Sequence, residues 1–283
     1  MKKFFALLLT GALALGAAGC GSKTDADANA ADKGEAETEA VTLKIGASPT
    51  PHEEILEAAK EELAAKGINL EIVEFTDYVL PNLSLDSGDL DANYFQHAPY
   101  LDSFNEEHGT KLVSLGAVHY EPMGIYSKSI TDLAALPDGA KVGIPADPTN
   151  GGRALLLLET NGVIKLDPAA GISATKLDIK ENPKNIEIVE MEAAQLPLSI
   201  GDLSIAVING NYAMQNGLKT EDALAIEAAD SLAATTYANI IAVREGDETR
   251  PELITLLEVL NSQTTADYIN KTYGGAVAPT AKN

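Results

Sequence analysis

From Val41 onward, two rhythms of apolar and polar residues alternate along the chain. Val41-Thr42-Leu43-Lys44-Ile45-Gly46 has the period of two that a strand requires. Glu53 to Lys66 instead places Ile55, Leu56, Ala59 and Leu63 on one helical face, and Gly67 stands where a helix C-cap is wanted. Leu70 to Phe75 predicts the next strand, and Lys111 to Val118 with Gly124 to Tyr126 one longer extended stretch. Lys141 to Ile144 reads as a strand and Gly152 to Thr160 as an apolar helix. Ile186 to Val189, Ile205 to Ile208 and Asn239 to Val243 are further strands, and helices over Glu252–Asn261 and Thr265–Lys271 close the chain. Strands alternating with helices predict an α/β fold.

The first forty residues follow neither rhythm. Lys2 and Lys3 precede an apolar run, Phe4 to Ala18, of signal-segment length and too short to span a bilayer. It ends in Ala17-Ala18-Gly19-Cys20, small residues before a cysteine, as lipoprotein signal peptidase accepts. The alternative is an ordinary cleavable signal with an incidental cysteine. Cys20 is the only cysteine in the chain, so no internal disulfide is possible, and a thioether-linked lipid accounts for it. Residues 21–40 lack any large apolar side chain and predict a disordered tether. The expected organisation is a signal over 1–19, a lipidated cysteine and tether over 20–40, and a folded part thereafter. The formal net charge of −22 excludes nucleic acid as a partner and disfavours direct adsorption on anionic lipid. Membrane attachment is therefore expected through the Cys20 lipid, on the extracytoplasmic side.

One internal echo suggests two similar halves. Leu83-Ser84-Leu85-Asp86-Ser87-Gly88-Asp89-Leu90 resembles Leu198-Ser199-Ile200-Gly201-Asp202-Leu203, and each leads into a strand ending in polar or aromatic residues. Such strand ends meet at a cleft between lobes, although helix-Gly-Asp-strand is also a common connection. The expected lobes are 41–126 plus 238–283 and 127–237, with crossovers near Ser127 and Tyr237.

Catalytic signatures are missing: no phosphate loop, dinucleotide fingerprint, nucleophile elbow or His-Glu-x-x-His. The chain reads as a binding protein rather than an enzyme, with no cofactor. His52, His97, His108 and His119 are scattered, and their spacing shows no convergent metal set; metal capture remains the alternative function. The strongest local site is Asp147-Pro148-Thr149-Asn150-Gly151-Gly152-Arg153. Thr149 or Asn150 can cap the helix that follows, and the glycines let a ligand approach backbone N–H groups. Arg153, in the first turn, offers a bidentate fork to a carboxylate, or pairs with one of the many acids. Tyr78, Tyr94, Phe95, His97 and Tyr100 form an aromatic cluster suited to an apolar or sulfur-containing side chain, although Tyr94 and Tyr100 suit core packing equally. Asn209, Asn211 and Asn239 lie at strand ends, where amides hold an ammonium or a carboxylate; a turn is the better reading for Asn211 beside Gly210.

A resemblance sharpens this picture. Phe75 to Asn82, Gly88 to His97, Glu121 to Ser127, Asp147 to Asn150 with Arg153 to Leu158, Glu181 to Asn185 and Ala206 to Asn209 resemble, in order, the NlpA-type methionine-binding lipoproteins. These are the substrate-binding subunits of methionine ABC importers. The resemblance implies a two-lobed type II periplasmic-binding fold with the ligand in a cleft between lobes. Methionine (L, D or within a dipeptide) is the implied ligand, and an ABC permease with its ATPase the implied partner. Arg153 would hold the ligand carboxylate, Asn209 and Asn239 its backbone groups, and Tyr78, Phe95 and His97 its side chain. Two departures stand out: the glycine pair 151–152 before Arg153, and Glu121, which adds a negative charge near the ligand ammonium. Asn150 completes the candidate set.

Overall fold

The computed structural model describes residues 40–228 and 232–280; the signal segment, Cys20 and nearly all of the tether lie outside them. β1 (Val41–Ala47) leads through a short turn to α1 (Glu54–Ala65), whose Ile55, Leu56, Ala59 and Leu63 are buried as their spacing predicts. Gly67, at φ +79°, ends α1 in the left-handed conformation that a side chain disfavours. Next come β2 (Ile68–Glu74), α2 (Leu80–Asp86), β3 (Ala92–His97), α3 (Ala98–His108), β4 (Leu112–Tyr120) and β5 (Gly124–Tyr126). β6 (Lys141–Pro145) and α4 (Pro148–Thr160) follow, then a small ribbon of β7 (Lys165–Leu166) and β8 (Ile179–Glu181). β9 (Glu187–Met191), α5 (Leu196–Ser199), β10 (Ile205–Ile208), α6 (Gly210–Gln215) and β11 (Ala225–Ile226) come next. α7 (Leu232–Thr236), β12 (Asn239–Arg244), α8 (Pro251–Leu260), α9 (Gln263–Tyr273) and β13 (Ala278–Pro279) complete the chain.

The strands form two main sheets. One has the order β13-β4-β12-β3-β1-β2, and the other β11-β5-β10-β6-β9. In each, a parallel set is joined by an antiparallel strand: β12 beside β3, and β5 beside β10. Each sheet has its own core. Leu43, Ile45, Tyr94, Ile241 and Leu256 pack in the first, while Ile125, Val142, Ile144, Leu155 and Val207 pack in the second. The chain passes between sheets twice, once at Glu121-Pro122-Met123 and once between Ile226 and Asn239. The extended stretch expected over Lys111–Tyr126 is therefore two strands in different sheets. The break comes before β5, ahead of Ser127, because Pro122 cannot donate to a ladder and Gly124–Tyr126 pairs with β10 and β11.

The echo holds as local structure: α2 and α5 each precede a fully buried strand, β3 or β10. α3 has no counterpart in the periodicity read above. Its first turn is set by Pro99 and by the His97 ring, which accepts a hydrogen bond from the Tyr100 N–H. Among the described residues no helix is long and apolar enough to cross a membrane.

The glycine pair in α4 serves packing. A Cβ on Gly152 would stand 2.5 Å from the Ile172 carbonyl oxygen and 3.1 Å from that of Ala174. One on Gly151 would stand 2.9 Å from the Pro145 oxygen. Backbone, rather than ligand, occupies the space these glycines leave. Gly152→Ala should cost about 1–3 kcal/mol through forced backbone displacement. Gly201→Ala, which meets nothing within 4 Å, should stay within about 0.5 kcal/mol. Denaturant midpoints of the two variants check this; equal midpoints would show that α4 has room.

Candidate functional site

All eight residues singled out from the sequence line one cavity between the two sheets: Tyr78, Phe95, His97, Glu121, Asn150, Arg153, Asn209 and Asn239. About 340 Å³ of space not filled by protein atoms lies here, part of it open to solvent. Topology explains the convergence. β3 ends at His97, β10 ends just before Asn209, and β12 runs antiparallel to β3, so its first residue, Asn239, pairs with His97. β4 pairs with β12 so that Asn239 also faces His119. Glu121 sits in the first crossing between sheets, and α4 supplies Asn150 and Arg153.

Asp147 caps α4, not Thr149 or Asn150: its carboxylate accepts the Asn150 N–H at 2.9 Å. Asn150 is thereby freed to organise the cavity. Its Nδ2 donates to Asp147, and its Oδ1 accepts from His97 Nε2 at 3.1 Å and Asn209 Nδ2 at 2.7 Å. The latter bond leaves Asn209 Oδ1 buried with no partner. Asn211, read as a turn residue, lines the cavity as well: its Oδ1 accepts the Tyr78 hydroxyl at 2.6 Å, and its Nδ2 is buried and unpartnered. The far end is aromatic. Tyr78 lies 5.7 Å from both Phe95 and Tyr100, centroid to centroid. Tyr94, by contrast, belongs to the core of the first sheet.

Arg153 is in the second turn of α4, and it is not alone. Its Nε donates to Glu227 Oε1 at 2.8 Å, and one Nη donates to Glu227 Oε2 at 2.5 Å and to the Glu121 carbonyl at 2.9 Å. The guanidinium lies 4.5 Å from the Tyr237 ring centroid. Among the described residues its Nη1 makes no hydrogen bond. The bidentate fork expected to face a ligand thus faces Glu227, because a cation this deeply buried needs a permanent counter-charge. Burial raises the Glu227 carboxyl, but the charge and hydrogen bonds of Arg153, with the Met123 N–H and the Tyr120 hydroxyl, outweigh it and hold it below its ordinary value. Glu227 was not legible: it follows a two-residue strand in a chain of 42 acids, and nothing local marks it.

A second buried cluster adjoins the cavity. His119 Nε2 donates to Glu121 Oε1 at 2.7 Å, and the Tyr94 hydroxyl bonds His119 Nδ1. His52 Nε2 donates to Asn239 Oδ1 at 3.0 Å and lies 3.3 Å from Glu121. Spacing hid this convergence, since strand register and a turn bring His52 and His119 together. Their ring nitrogens and a Glu121 oxygen lie within 4.8 Å of one another, near enough for a metal ion. The proton arrangement fits hydrogen bonding better. A metal on His52 Nε2 would put the ring proton on Nδ1, which is buried with no acceptor.

Burial drives the imidazoles down, His52 to about 4, with Glu121 acting against it, and His119 to about 3. His97 falls to about 3 through burial and the charge of Arg153. All three are neutral near pH 7, so their contacts with carboxylates are hydrogen bonds rather than ion pairs. Burial pushes Glu121 up.

Two α/β halves with a small cavity between them, polar at one end and aromatic at the other, define a substrate-binding protein. The chain belongs to the NlpA lipoprotein family, whose model matches residues 43–281. It is 42% identical over 274 residues to the D-methionine-binding lipoprotein MetQ of Salmonella typhimurium, covering 95% of this chain and 94% of that one. It is also 42% identical to the methionine-binding lipoprotein MetQ of Bacillus subtilis over the full length of both. A nutrient-binding protein of Burkholderia cenocepacia, solved bound to methionine, superposes with a TM-score of 0.80 at 45% identity, over 84% of this chain and all of that one. An ABC-transporter periplasmic substrate-binding protein of Coxiella burnetii gives 0.79 at 43%, with 84% and 100% covered. The fold is thus the two-lobed type II fold of periplasmic substrate-binding proteins.

Unfolded histidines titrate near 6.5, and His97 near 3 in the fold. Between these values the unfolded chain holds more protons, so stability present above pH 6.5 is lost as pH falls. Glu121, raised in the fold, acts with the opposite sign. His97→Gln keeps a hydrogen-bonding amide but cannot titrate, so it should lose less stability than the parent between about pH 7 and pH 4.5. Denaturant unfolding at both values measures the difference; equal losses would show that His97 is not held neutral.

Proposed function

We propose that this protein captures methionine outside the cytoplasm and delivers it to an ABC importer, to whose permease and ATPase it is the substrate-binding partner. The observation that carries the reading is the set of unfilled hydrogen-bonding groups in the cavity. Asn211 Nδ2 is a donor suited to a carboxylate and Asn209 Oδ1 an acceptor suited to an ammonium, both buried without a partner, and the Arg153 guanidinium lines the same cavity. Glu121 adds negative charge at the ammonium end. Tyr78, Phe95 and Tyr100 face the remainder, where a thioether contacts aromatic rings favourably. The relatives named for methionine, one of them solved with it bound, support the same ligand.

The two halves act as lobes, one built on the first sheet and the other on the second, closing over the ligand about the two crossings. Binding, not turnover, is the task. Tyr94, His119 and Glu121 have the order of a catalytic relay, but Tyr94 is fully buried and does not line the cavity. The mature chain is held at the membrane by lipid on Cys20, in keeping with a family of lipoproteins.

Methionine should bind in calorimetry, and Arg153→Ala should weaken it by about 2–5 kcal/mol, roughly thirtyfold or more. The thermal shift given by methionine should shrink in parallel. Binding by Arg153→Ala within about threefold of the parent would remove Arg153 from the carboxylate site. Cys20→Ser expressed in a bacterial host should appear in the soluble fraction or remain unprocessed, whereas the parent partitions with membrane; a variant that still does so excludes Cys20 lipid as the anchor.

A further inference from the structure

Glu227 is held more firmly than a counter-ion requires. Its carboxylate accepts four hydrogen bonds: Arg153 Nε at 2.8 Å, Arg153 Nη2 at 2.5 Å, the Tyr120 hydroxyl at 2.7 Å and the Met123 N–H at 2.8 Å. Its own N–H donates to the Met123 carbonyl at 3.0 Å. Three of these bonds fall on Oε2 and one on Oε1, so both carboxylate oxygens are engaged and the group is held in one orientation. The guanidinium is fixed in turn, by Glu227 along one edge, the Glu121 carbonyl at Nη2 and the Tyr237 ring on its face.

We propose that Glu227 is a positioning and specificity residue: it aims one Arg153 donor, Nη1, into the cavity and cancels the guanidinium charge, so that the site selects a zwitterion over an anion of the same shape. This rests on the amino-acid reading above. A lone guanidinium in a water-poor cavity attracts any carboxylate, whether or not an ammonium accompanies it. A guanidinium already paired offers direction but little net charge. A ligand carboxylate then gains one aimed hydrogen bond, and the ligand must supply an ammonium to satisfy Asn209 Oδ1, which is otherwise buried without a donor. An anion lacking the ammonium meets Glu227 and Glu121 with no positive charge of its own.

The test compares methionine with 4-(methylsulfanyl)butanoate, the same molecule without its amine, by calorimetry on the full chain. The quantity read is the ratio of the two Kd values within one variant, anion over zwitterion. Partial unfolding scales both values equally and drops out of that ratio. The parent should favour methionine strongly. Glu227→Gln, which keeps shape but not charge, should lower the ratio by about tenfold or more, by weakening methionine and strengthening the anion. Glu227→Asp should keep the ratio within about threefold of the parent. If the parent binds methionine and Glu227→Gln leaves the ratio unchanged, Glu227 is only structural and the proposal falls. If Glu227→Gln binds neither ligand, Glu227→Asp decides: a retained ratio supports the assignment, and a fallen one overturns it. A parent that fails to bind methionine defeats the functional reading itself, which is a different result.

Discussion

A guanidinium removed from water without a partner costs far more than a small domain can offset. Arg153 is 4% exposed, and the structure around it follows from that constraint. Its charge is answered by Glu227, which lies 74 residues away and reaches it only because β11 pairs with β5. Glu227 is anchored by Met123, which sits in the crossing between sheets, and by Tyr120 at the end of β4. One ion pair therefore ties the second sheet, α4 and the crossing segment into a fixed frame. The ligand's place is what that frame leaves over.

The same economy runs through the rest of the cavity. Asn150 is spent at both ends, whereas Asn209 and Asn211 each spend one end on a neighbour and keep the other. Asn150 uses Nδ2 on Asp147 and shares Oδ1 between His97 and Asn209. Asn211 gives Oδ1 to Tyr78 and keeps Nδ2, and Asn209 gives Nδ2 and keeps Oδ1. A buried amide with one end unpaired is destabilising in an empty protein. Here the unpaired ends share one small space and differ in sign, which is what a molecule carrying both an anion and a cation needs.

Much of this was legible from residue order. The strands at Val41, Lys141, Ile205 and Asn239 and the buried face of α1 follow from periodicity alone. The polar candidates were picked as residues at strand ends or near a helix N-terminus, and such places converge in α/β folds. Features that depend on long-range pairing were hidden. Glu227 looks like any other acid until β11 docks. His52 and His119 meet through register, and Asn211 resembles a turn residue because Gly210 precedes it. The first crossing, expected near Ser127, falls earlier, at Glu121-Pro122-Met123, because the apolar pattern continues on both sides and only the change of pairing partner marks it. The glycine pair was read as room for a ligand, whereas it is room for the loop around Ile172. Local sequence states that a side chain is absent and not what fills the space.

Besides the His97–Asn150 and Tyr120–Glu227 bonds, three further hydrogen bonds join the two halves. Tyr78 donates to Asn211, the Tyr212 hydroxyl to the Thr76 carbonyl, and Gln215 Nε2 to the Thr50 carbonyl. None requires anything in the cavity. In the closing motion proposed above they act as a latch that fastens whether or not cargo has arrived. Their strength therefore sets how often the empty protein shuts. A firm latch preorganises the site and tightens capture, while filling the importer's queue with empty carriers that compete for docking. A weak one leaves closure to the ligand and lowers apparent affinity by the fraction of molecules still open. The latch is thus a tuning point between scavenging scarce substrate and avoiding idle cycles of the transporter, and two of its three bonds, Tyr212–Thr76 and Gln215–Thr50, lie outside the residues that line the cavity.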